Sequence, residues 1–267
     1  MTVVRPQRAC GTGVLVLAGS SGAVDLERAG LFAAHGAVAL ALRWFGGPGQ
    51  QPGPWHVPLE TFTAALDVLT PEVDWLATVG TSFGAEAALC VAATDTRIDA
   101  VVAISPSPYV WPASDDTGQL RSHWTRHGTP LPFVPFDHTW TATSDPPAFR
   151  SLYERSLHTH ADEAAAAAIA IEDFAGQLVL IAGDDDQVWP AADWARTIAH
   201  RRAQHQLPTT LITHPEAGHR VILPGEQPVR RGQHMQRGGN DTADAELGTM
   251  AWPHVHTALH FNDAAIG

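Results

Sequence analysis

The stretch that decides the fold of this 267-residue chain is Trp75-Leu-Ala-Thr-Val-Gly80-Thr-Ser-Phe-Gly84. Its apolar first half predicts a buried strand over residues 75–79, and the small residues that follow predict a helix over residues 83–93. Between them, Gly80 and Gly84 flank Ser82 in the pattern G-x-S-x-G, whose glycines permit a tight turn that lifts the serine hydroxyl out of the sheet. A chance Gly-Ser turn is the alternative, but the strand before it and the helix after it favour a nucleophilic serine.

A nucleophilic serine needs a histidine as base and an acid that orients the histidine, and in this arrangement the chain order is serine, acid, histidine. Three aspartates, Asp184 to Asp186, directly follow a predicted strand at residues 178–182. His219 follows the next predicted strand, at residues 209–213. Each group alone has another explanation: the aspartates fit a solvated turn, and His219 could be an ordinary loop histidine, since the chain has 15 histidines. Their joint placement after two successive strands nevertheless predicts a triad.

The carbonyl oxygen of the substrate needs two backbone N–H donors as it becomes negative. One belongs to the residue after the nucleophile, and the second is expected after the first core strand. Residues 14–18 are that predicted strand, and Gly19-Ser20-Ser21-Gly22 follows it. We predict that the backbone amides of Ser20 and Phe83 form an oxyanion hole, where the amino end of the helix adds partial positive charge. A glycine turn that merely connects strand and helix is the alternative.

Short apolar runs alternate with helical segments, which predicts an α/β fold with a mostly parallel sheet and helices on both faces. Further strands are predicted at residues 37–42 and 100–104, and further helices at residues 25–35, 59–69, 191–205 and 249–261. We interpret residues 1–267 as a single domain, since we find neither an internal repeat nor a linker. Residues 105–176 show no apolar strand pattern, which predicts a non-strand insertion that caps the carboxyl edge of the sheet.

The insertion contributes a predicted alanine-rich helix over residues 162–174 and several aromatic side chains. Tyr109, Trp111 and, beyond the insertion, Trp189 follow strand ends and are predicted to line a substrate pocket for the acyl group, with burial in the core as the alternative. The histidines of the insertion lack a ligand spacing with a carboxylate, so we predict neither a metal nor a cofactor; they are His123, His127, His138, His158 and His160.

Charge and composition restrict the partners. A formal net charge of −12 disfavours nucleic acids and anionic membranes. Arg230, Arg231 and Arg237 form a basic loop that is either solvated or meets phosphates. The two cysteines indicate no disulfide framework, and no apolar run reaches the roughly 18 residues of a membrane span or forms a signal peptide. We therefore expect a cytoplasmic protein.

These motifs together resemble the catalytic domain of bile-acid-CoA:amino acid N-acyltransferases and related acyl-CoA thioesterases, which are α/β hydrolases related to dienelactone hydrolases. The resemblance runs over nearly the whole chain. It includes Ala18-Gly-Ser-Ser-Gly22, the segment from Gly80 to Glu86, Gly183-Asp-Asp-Asp-Gln-Val-Trp189, His214-Pro-Glu-Ala-Gly-His219, Leu223-Pro-Gly225, the late Gly-Gly-Asn at residues 238–240, and a carboxyl-terminal helix.

The resemblance implies an α/β-hydrolase fold and the hydrolysis or transfer of an acyl group from a thioester. Besides acyl-CoA, a thioester of an acyl carrier protein or a specialised metabolite ester stays open as the substrate. It implies Asp186 as the acid, the third residue after the glycine, with Asp185 as the fallback. Amidating members use a cysteine nucleophile, so Ser82 favours hydrolysis. Relatives often have lysine where this chain has Phe83, and they typically carry an amino-terminal β-sandwich domain. Because this sequence begins just before its first predicted core strand, we expect that domain to be missing.

Two other functions are consistent with the same residues. A carboxylesterase or lactonase of dienelactone-hydrolase type would use the same triad, and it would differ only in the leaving group. A non-catalytic ligand-binding protein on a hydrolase fold is the alternative of another class, and the complete triad argues against it.

Overall fold

The alternating segments of the sequence fold into strands and helices that a computed structural model describes for residues 1–230 and 232–261. The strands are β1 (Thr2–Val4), β2 (Thr12–Leu17), β3 (Val38–Leu42), β4 (Val57–Pro58), β5 (Trp75–Thr81), β6 (Ala100–Ile104), β7 (Pro112–Ser114), β8 (Leu120–Ser122), β9 (Trp124–Arg126), β10 (Thr129–Pro130), β11 (Gln177–Gly183) and β12 (Thr209–His214). The helices are α1 (Leu26–Ala34), α2 (Glu60–Leu69), α3 (Phe83–Ala92), α4 (Arg150–Thr159), α5 (Ala161–Ala166), α6 (Ala191–Gln204) and α7 (Asp241–Ala258), with short 3-10 turns at Thr70–Glu72 and Ile171–Asp173.

Seven strands form the central sheet in the order β1-β3-β2-β5-β6-β11-β12. All neighbours pair in parallel except β1, which is antiparallel to β3 at the edge of the sheet. Because parallel strands all end at the same edge, the turns after β2, β5, β11 and β12 come together there. The predicted α/β architecture with a mostly parallel sheet is confirmed.

The sheet is buried on both faces because alternate residues of each strand point to opposite sides. Leu15 and Leu17 of β2 pack in the layer that holds α2, α3 and α6, whereas Val14 and Val16 pack in the layer that holds α1 and α7. Helices therefore cover both faces, as predicted from the continuous apolar strands.

The segment between β6 and β11 contains four short strands, so the prediction of a non-strand insertion is wrong in this respect. β7 pairs with β8, and β9 pairs with β10 and with β4 from a preceding loop. These strands are two or three residues long, which is too short to produce the period-2 pattern by which a strand is recognised in a sequence.

The alanine-rich segment forms a much shorter helix than residues 162–174 predict. Helix α5 ends at Ala166, because the following backbone pairs with the start of the insertion: Val110 N donates to the Ala167 carbonyl at 2.9 Å, and Ile169 N donates to the Pro108 carbonyl at 2.9 Å. The tertiary pairing of this backbone overrides the helix propensity of alanine.

The carboxyl-terminal helix begins earlier than residues 249–261 predict. The side chain of Asn240 caps α7 by accepting from the amides of Thr242 and Ala243 at 3.1 and 3.0 Å. This is the usual role of asparagine at a helix start, so Asn240 was a signal in the sequence for the earlier boundary. Neither α7 nor any other helix of the described ranges is long and apolar enough to cross a membrane.

Candidate active site

Ser82 lies at a sharp turn between β5 and α3, with φ 59° and ψ −123°. This is an uncommon conformation for a residue with a side chain, and such strain concentrates at functional positions. The turn is held on both sides, since Ser82 N donates to the Ile104 carbonyl at 2.9 Å and the Ser82 carbonyl accepts from the amide of Glu86 at 3.0 Å. The arrangement matches the strand-turn-helix predicted from the sequence.

The two glycines beside Ser82 are required by close backbone contacts. A β carbon on Gly80 would lie 2.1 Å from the Gly84 carbonyl oxygen, and one on Gly84 would lie 2.5 Å from the carbonyl oxygens of Leu17 and Ala18. Helix α3 therefore sits directly on the end of β2. The pattern G-x-S-x-G follows from this contact as well as from the turn.

His219 and Asp186 form a hydrogen-bonded pair at the carboxyl edge of the sheet. His219 Nδ1 lies 2.7 Å from Asp186 Oδ2, and the Asp186 side chain is completely buried. The other carboxylate oxygen, Oδ1, accepts from the amides of Val188 and Trp189 at 2.8 and 3.2 Å. A carboxylate fixed in this way is placed to orient the imidazole.

The neighbouring aspartates are engaged elsewhere. Asp185 Oδ2 accepts from the amide of Gly239 at 2.8 Å, and Asp184 pairs with Arg196 at 2.7 Å. Of the three consecutive aspartates, Asp186 is therefore the one whose carboxylate contacts the His219 ring.

Ser82 and His219 line one cavity of about 690 Å³ at the carboxyl edge of the sheet. The described residues include no hydrogen bond between the Ser82 hydroxyl and the His219 ring. Such bonds are commonly long in ligand-free enzymes and tighten around a bound substrate. A serine and an imidazole that line one cavity, with a buried carboxylate bound to the imidazole, are the groups that nucleophilic acyl transfer requires.

Ser20 and Phe83 line the same cavity. Among the described backbone hydrogen bonds, neither amide donates to another residue, so both N–H groups are available to a ligand. The loop after β2 lies against the nucleophile turn, since a β carbon on Gly19 would lie 3.1 Å from Ser82 Cβ. Gly19, which precedes Ser20, therefore lies against Ser82, and the role of the two amides as oxyanion donors stays a prediction.

The cavity has one apolar wall and one charged wall. Its apolar wall comes mainly from the insertion and includes Phe136, Phe149, Leu152 and Tyr153, together with Val188. The segments around residues 20–28 and 219–237 supply the charged residues of the lining together with apolar ones such as Val24 and Val221, and we call this part the charged wall. A substrate with an apolar group and a polar group fits a cavity of this composition.

Arg28 and Glu226 form a buried ion pair in the charged wall, which the sequence analysis missed. Arg28 Nε and Nη2 donate to the two Glu226 oxygens at 2.6 and 2.9 Å, and Arg28 Nη1 donates to Thr81 Oγ1 at 2.7 Å. Burial lowers the pKa of Arg28, but the carboxylates of Glu226 and then of Asp25 and Glu27 together outweigh this, so the pKa of the guanidinium lies above its ordinary value. The pair joins α1 to the residue before the nucleophile.

The three aromatics predicted to bind substrate do not line the cavity, and this corrects the prediction. Trp111 and Trp189 are fully buried, and Tyr109 lies at a separate surface groove beside α5. Tyr153 from α4 lines the cavity instead, with its ring 4.6 Å from that of Trp111 and 5.4 Å from that of Trp189. The two tryptophans therefore support the wall from behind.

The buried glutamate of α3 connects the nucleophile helix to the insertion. Glu86 Oε1 accepts from Trp124 Nε1 at 2.7 Å and from the Trp111 amide at 3.1 Å, and it lies 3.1 Å from His123 Nδ1. His123 thus has a structural partner on α3. The His123 ring packs against that of Phe83, with the ring centroids 4.2 Å apart and the planes tilted by 50°.

Asp244 of α7 is a second buried carboxyl near His219. Its Oδ1 accepts from the amide of Gly218 at 2.7 Å, so it holds the residue before the histidine. Burial, more than any neighbouring charge, raises the pKa of this carboxyl to about 6. In the sequence, Asp244 had no motif that distinguished it from other helical aspartates.

The predicted basic loop is divided between surface and cavity. Arg230 is exposed and pairs with Asp241, whereas Arg237 lines the cavity. Arg231 lies outside the described residues.

Comparisons with known proteins place this geometry among hydrolases. Residues 57–261 match the family described as "BAAT / Acyl-CoA thioester hydrolase C terminal", a range that includes Ser82, Asp186 and His219. A comparison with curated proteins finds no match.

Several solved structures share the fold. The protein named m3DLH is 19% identical over 96% of this chain and 89% of that chain, with a TM-score of 0.58. A putative dienelactone hydrolase from Klebsiella pneumoniae is 15% identical over 97% and 91%, with a TM-score of 0.54. The dienelactone hydrolase-like promiscuous phosphotriesterase P91 from metagenomic libraries is 18% identical over 97% and 89%, also with a TM-score of 0.54. The predicted α/β-hydrolase fold is confirmed by these likenesses, which at such identities concern the fold alone.

Proposed function

Because this chain belongs to the BAAT / acyl-CoA thioester hydrolase C-terminal family, we propose that it hydrolyses acyl thioesters through an acyl-enzyme on Ser82. The observation that carries the proposal is the 2.7 Å hydrogen bond between His219 and the buried Asp186, with His219 and Ser82 lining one cavity. The serine nucleophile favours transfer of the acyl group to water, since amidating relatives are expected to use cysteine.

In the first half of the reaction, His219 takes the proton of the Ser82 hydroxyl while the serine oxygen attacks the carbonyl carbon of the thioester. Asp186 orients the imidazole and stabilises its positive charge. The amides of Ser20 and Phe83 donate to the carbonyl oxygen as it becomes negative. The carbon–sulfur bond then breaks, and the thiol leaves with the proton that His219 carried.

In the second half, His219 removes a proton from water, and the resulting hydroxide attacks the ester carbonyl of the acyl-enzyme. The oxyanion is held by the same two amides. The bond to the serine oxygen breaks, Ser82 recovers its proton from His219, and the carboxylic acid departs.

The two walls of the cavity suit the two halves of an acyl thioester. The apolar wall that includes Phe136, Phe149 and Leu152 accommodates the acyl group. The charged wall receives the polar thiol arm, which belongs to CoA or to a carrier protein. We expect the substrate to be a small-molecule acyl thioester or a carrier-bound one.

The test is a panel of acyl-CoA and acyl-pantetheine thioesters, with free thiol as the readout. Wild type is expected to release thiol, and Ser82→Ala is expected to lose at least about a thousandfold in kcat. Ser114→Ala, which removes an exposed hydroxyl from β7, is the matched control and keeps wild-type activity. Turnover of oxygen esters or lactones without any thioester turnover would refute the thioesterase proposal in favour of a dienelactone-hydrolase type of activity.

Labelling with a fluorophosphonate separates an enzyme from a ligand-binding protein on the same fold. Wild type is expected to be labelled and Ser82→Ala to be spared. An unlabelled wild type would contradict the activated serine and favour the non-catalytic alternative.

A further inference from the structure

We infer that Tyr153 selects the acyl group of the substrate, because its hydroxyl is placed to donate a hydrogen bond to a neutral oxygen atom of an otherwise apolar acyl group. That oxygen is a carbonyl, hydroxyl or ether oxygen. The inference rests on the proposed acyl transfer at Ser82 and specifies which acyl groups the same cavity prefers. Neither the family match nor the predicted triad assigns a role to Tyr153.

Tyr153 lies in the cavity wall, close to the reacting groups. This residue of α4 lines the cavity that Ser82 and His219 line. Its ring centroid lies 5.4 Å from that of Trp189, whose centroid lies 5.6 Å from that of His219. Since Tyr153 is only 6% exposed and lines the cavity, the small exposed part of its side chain faces the cavity.

The hydroxyl of Tyr153 belongs to this exposed part. It makes no hydrogen bond to any residue that the structure describes, residues 1–230 and 232–261. It is also not one of the fully enclosed polar atoms that lack a partner, as Trp189 Nε1 is. Most buried tyrosine hydroxyls have a partner. This one is unbonded and accessible, so it is available to a ligand.

The aromatic surroundings fix the direction of the hydroxyl. Four rings surround that of Tyr153, with centroids 4.6 to 5.9 Å away and planes nearly perpendicular to it, at 81° to 86°; they belong to Trp111, Phe136, Trp189 and Trp194. The Tyr153 ring cannot turn without displacing them, so only the hydroxyl hydrogen rotates, about the C–O bond. A donor fixed in advance loses little entropy when it binds.

The neighbours of Tyr153 in the apolar wall offer the hydroxyl no acceptor. Their side chains contain only carbon and hydrogen: Phe136, Phe149, Leu152 and Val188. An acyl chain without oxygen would displace water from the hydroxyl and leave it unpaired, which opposes binding. An acyl group with an oxygen at this place keeps a hydrogen bond, while its carbon atoms still contact the apolar wall.

The electrostatics of the wall favour a neutral oxygen over a carboxylate. Burial, and then the charges of Glu86 and Asp186, raise the pKa of Tyr153. The phenol therefore stays protonated and acts as a donor. The same burial and the same two carboxylates oppose a further negative charge at this place. A carbonyl, hydroxyl or ether oxygen accepts from the phenol without bringing a charge into the wall.

The experiment compares acyl groups that differ by one oxygen-containing group. Octanoyl-pantetheine is the reference, and 3-oxo-, 5-oxo- and 7-oxooctanoyl-pantetheine carry a carbonyl at different depths. Suberyl-pantetheine carries a carboxylate at the end of the chain. For each compound, kcat/KM relative to the reference is measured with wild type and with Tyr153→Phe, which removes only the hydroxyl. Comparing the two proteins cancels the intrinsic reactivity of each thioester.

The matched control is Tyr109→Phe, the same change at the other of the two tyrosines, which lies at the separate surface groove beside α5. We expect Tyr153→Phe to lower the relative kcat/KM of at least one oxo compound by about 5- to 30-fold, as the loss of one hydrogen bond in a desolvated wall would. Activity on octanoyl-pantetheine should stay the same or rise, because phenylalanine leaves no hydroxyl unpaired. Tyr109→Phe should keep every wild-type ratio.

Three results would overturn the inference. One is an unchanged ratio for all three oxo compounds, and another is an effect of Tyr153→Phe confined to suberyl-pantetheine. The third is an equal loss on octanoyl-pantetheine and the oxo compounds by a folded variant, because the hydroxyl would then act on the thioester group that all of them share.

A binding measurement that keeps Tyr153 tests the inference independently of turnover and of the folding of Tyr153→Phe. Calorimetry with Ser82→Ala compares octanoyl-pantetheine with each oxo compound. Tighter binding of at least one oxo compound supports the inference, and equal or weaker binding of all three refutes it. If wild type releases thiol from none of the compounds, the proposed function fails, and this binding comparison alone decides the role of Tyr153.

Discussion

Replacing Glu226 with glutamine should destabilise the protein strongly, because it leaves a buried arginine without its counter-charge. The side chains of Arg28 and Glu226 are 9% and 8% exposed and share two hydrogen bonds. Glutamine keeps the size of the side chain and one acceptor oxygen but removes the negative charge. Breaking one side of a buried pair costs about 3–5 kcal/mol, which is a large part of the 5–15 kcal/mol by which domains are typically stable.

Further contacts of the same two side chains place this loss at the active site. Glu226 Oε2 also accepts from the amide of Leu223 at 2.9 Å, and Arg28 Nη1 donates to Thr81 Oγ1 at 2.7 Å. A guanidinium without its partner would draw water into this wall and loosen the residue before Ser82. The variant should therefore lose kcat as well as stability.

The assay is urea unfolding followed by the fluorescence of the nine tryptophans. Glu72→Gln, which breaks the exposed pair with Arg5, is the matched control and should cost less than about 1 kcal/mol. The double variant Arg28→Met/Glu226→Leu should recover most of the loss, because neither charge is then left buried. A Glu226→Gln variant within about 1 kcal/mol of wild type, or a double variant as unstable as the sum of its single changes, would refute the reasoning.

Three further predictions concern Asp244, Gly84 and Asp186. Asp244→Asn should be more stable than wild type by at most about 3 kcal/mol at pH 8 and equal to it below pH ~4. Burial raises the native pKa of the carboxyl from 3.8 to about 6. Wild type therefore loses stability when Asp244 ionises as the pH rises through that value, whereas asparagine cannot ionise. Urea midpoints at both pH values measure this, and an equal difference at both contradicts it. Gly84→Ala should destabilise the protein by about 1–3 kcal/mol or more, because its β carbon would lie 2.5 Å from two carbonyl oxygens. A β carbon on Gly30 of α1 would meet nothing within 4 Å, so Gly30→Ala should stabilise the protein by up to about 1 kcal/mol. Thermal unfolding compares the two variants. Asp186→Asn should lower kcat by about 10⁴ and Asp185→Asn far less, and equal losses in steady-state kinetics would contradict the assignment of the acid.

The nucleophile turn could be predicted because its determinants are local. Gly80, Ser82 and Gly84 lie within five residues, and the strand and helix on either side have clear apolar patterns. The family that the motifs resemble is confirmed by the match over residues 57–261. The catalytic roles of Ser82, Asp186 and His219 stay predictions until the variants are measured.

The walls of the cavity could not be predicted in the same way. Arg28 and Glu226 are 198 residues apart, and no local pattern marks either of them as a partner of the other. Trp111 and Trp189 were placed in the substrate pocket because they follow strand ends, yet Tyr153 of α4 occupies the wall in front of them. The alanine-rich segment stops its helix at Ala166 because a distant stretch of backbone pairs with it.

By itself, the sequence determined the α/β alternation, the strand-turn-helix around Ser82 and the positions of candidate acid and base after two later strands. These depend on hydrophobic period and turn chemistry, which act over a few residues. Only the tertiary structure decided that Asp186 contacts His219, that Asp185 binds Gly239 instead, and that Arg28 pairs with Glu226 beside the cavity. Those choices depend on which side chains meet when β-strand ends and loops distant in the chain pack at one edge of the sheet, and no spacing along the chain encodes that meeting.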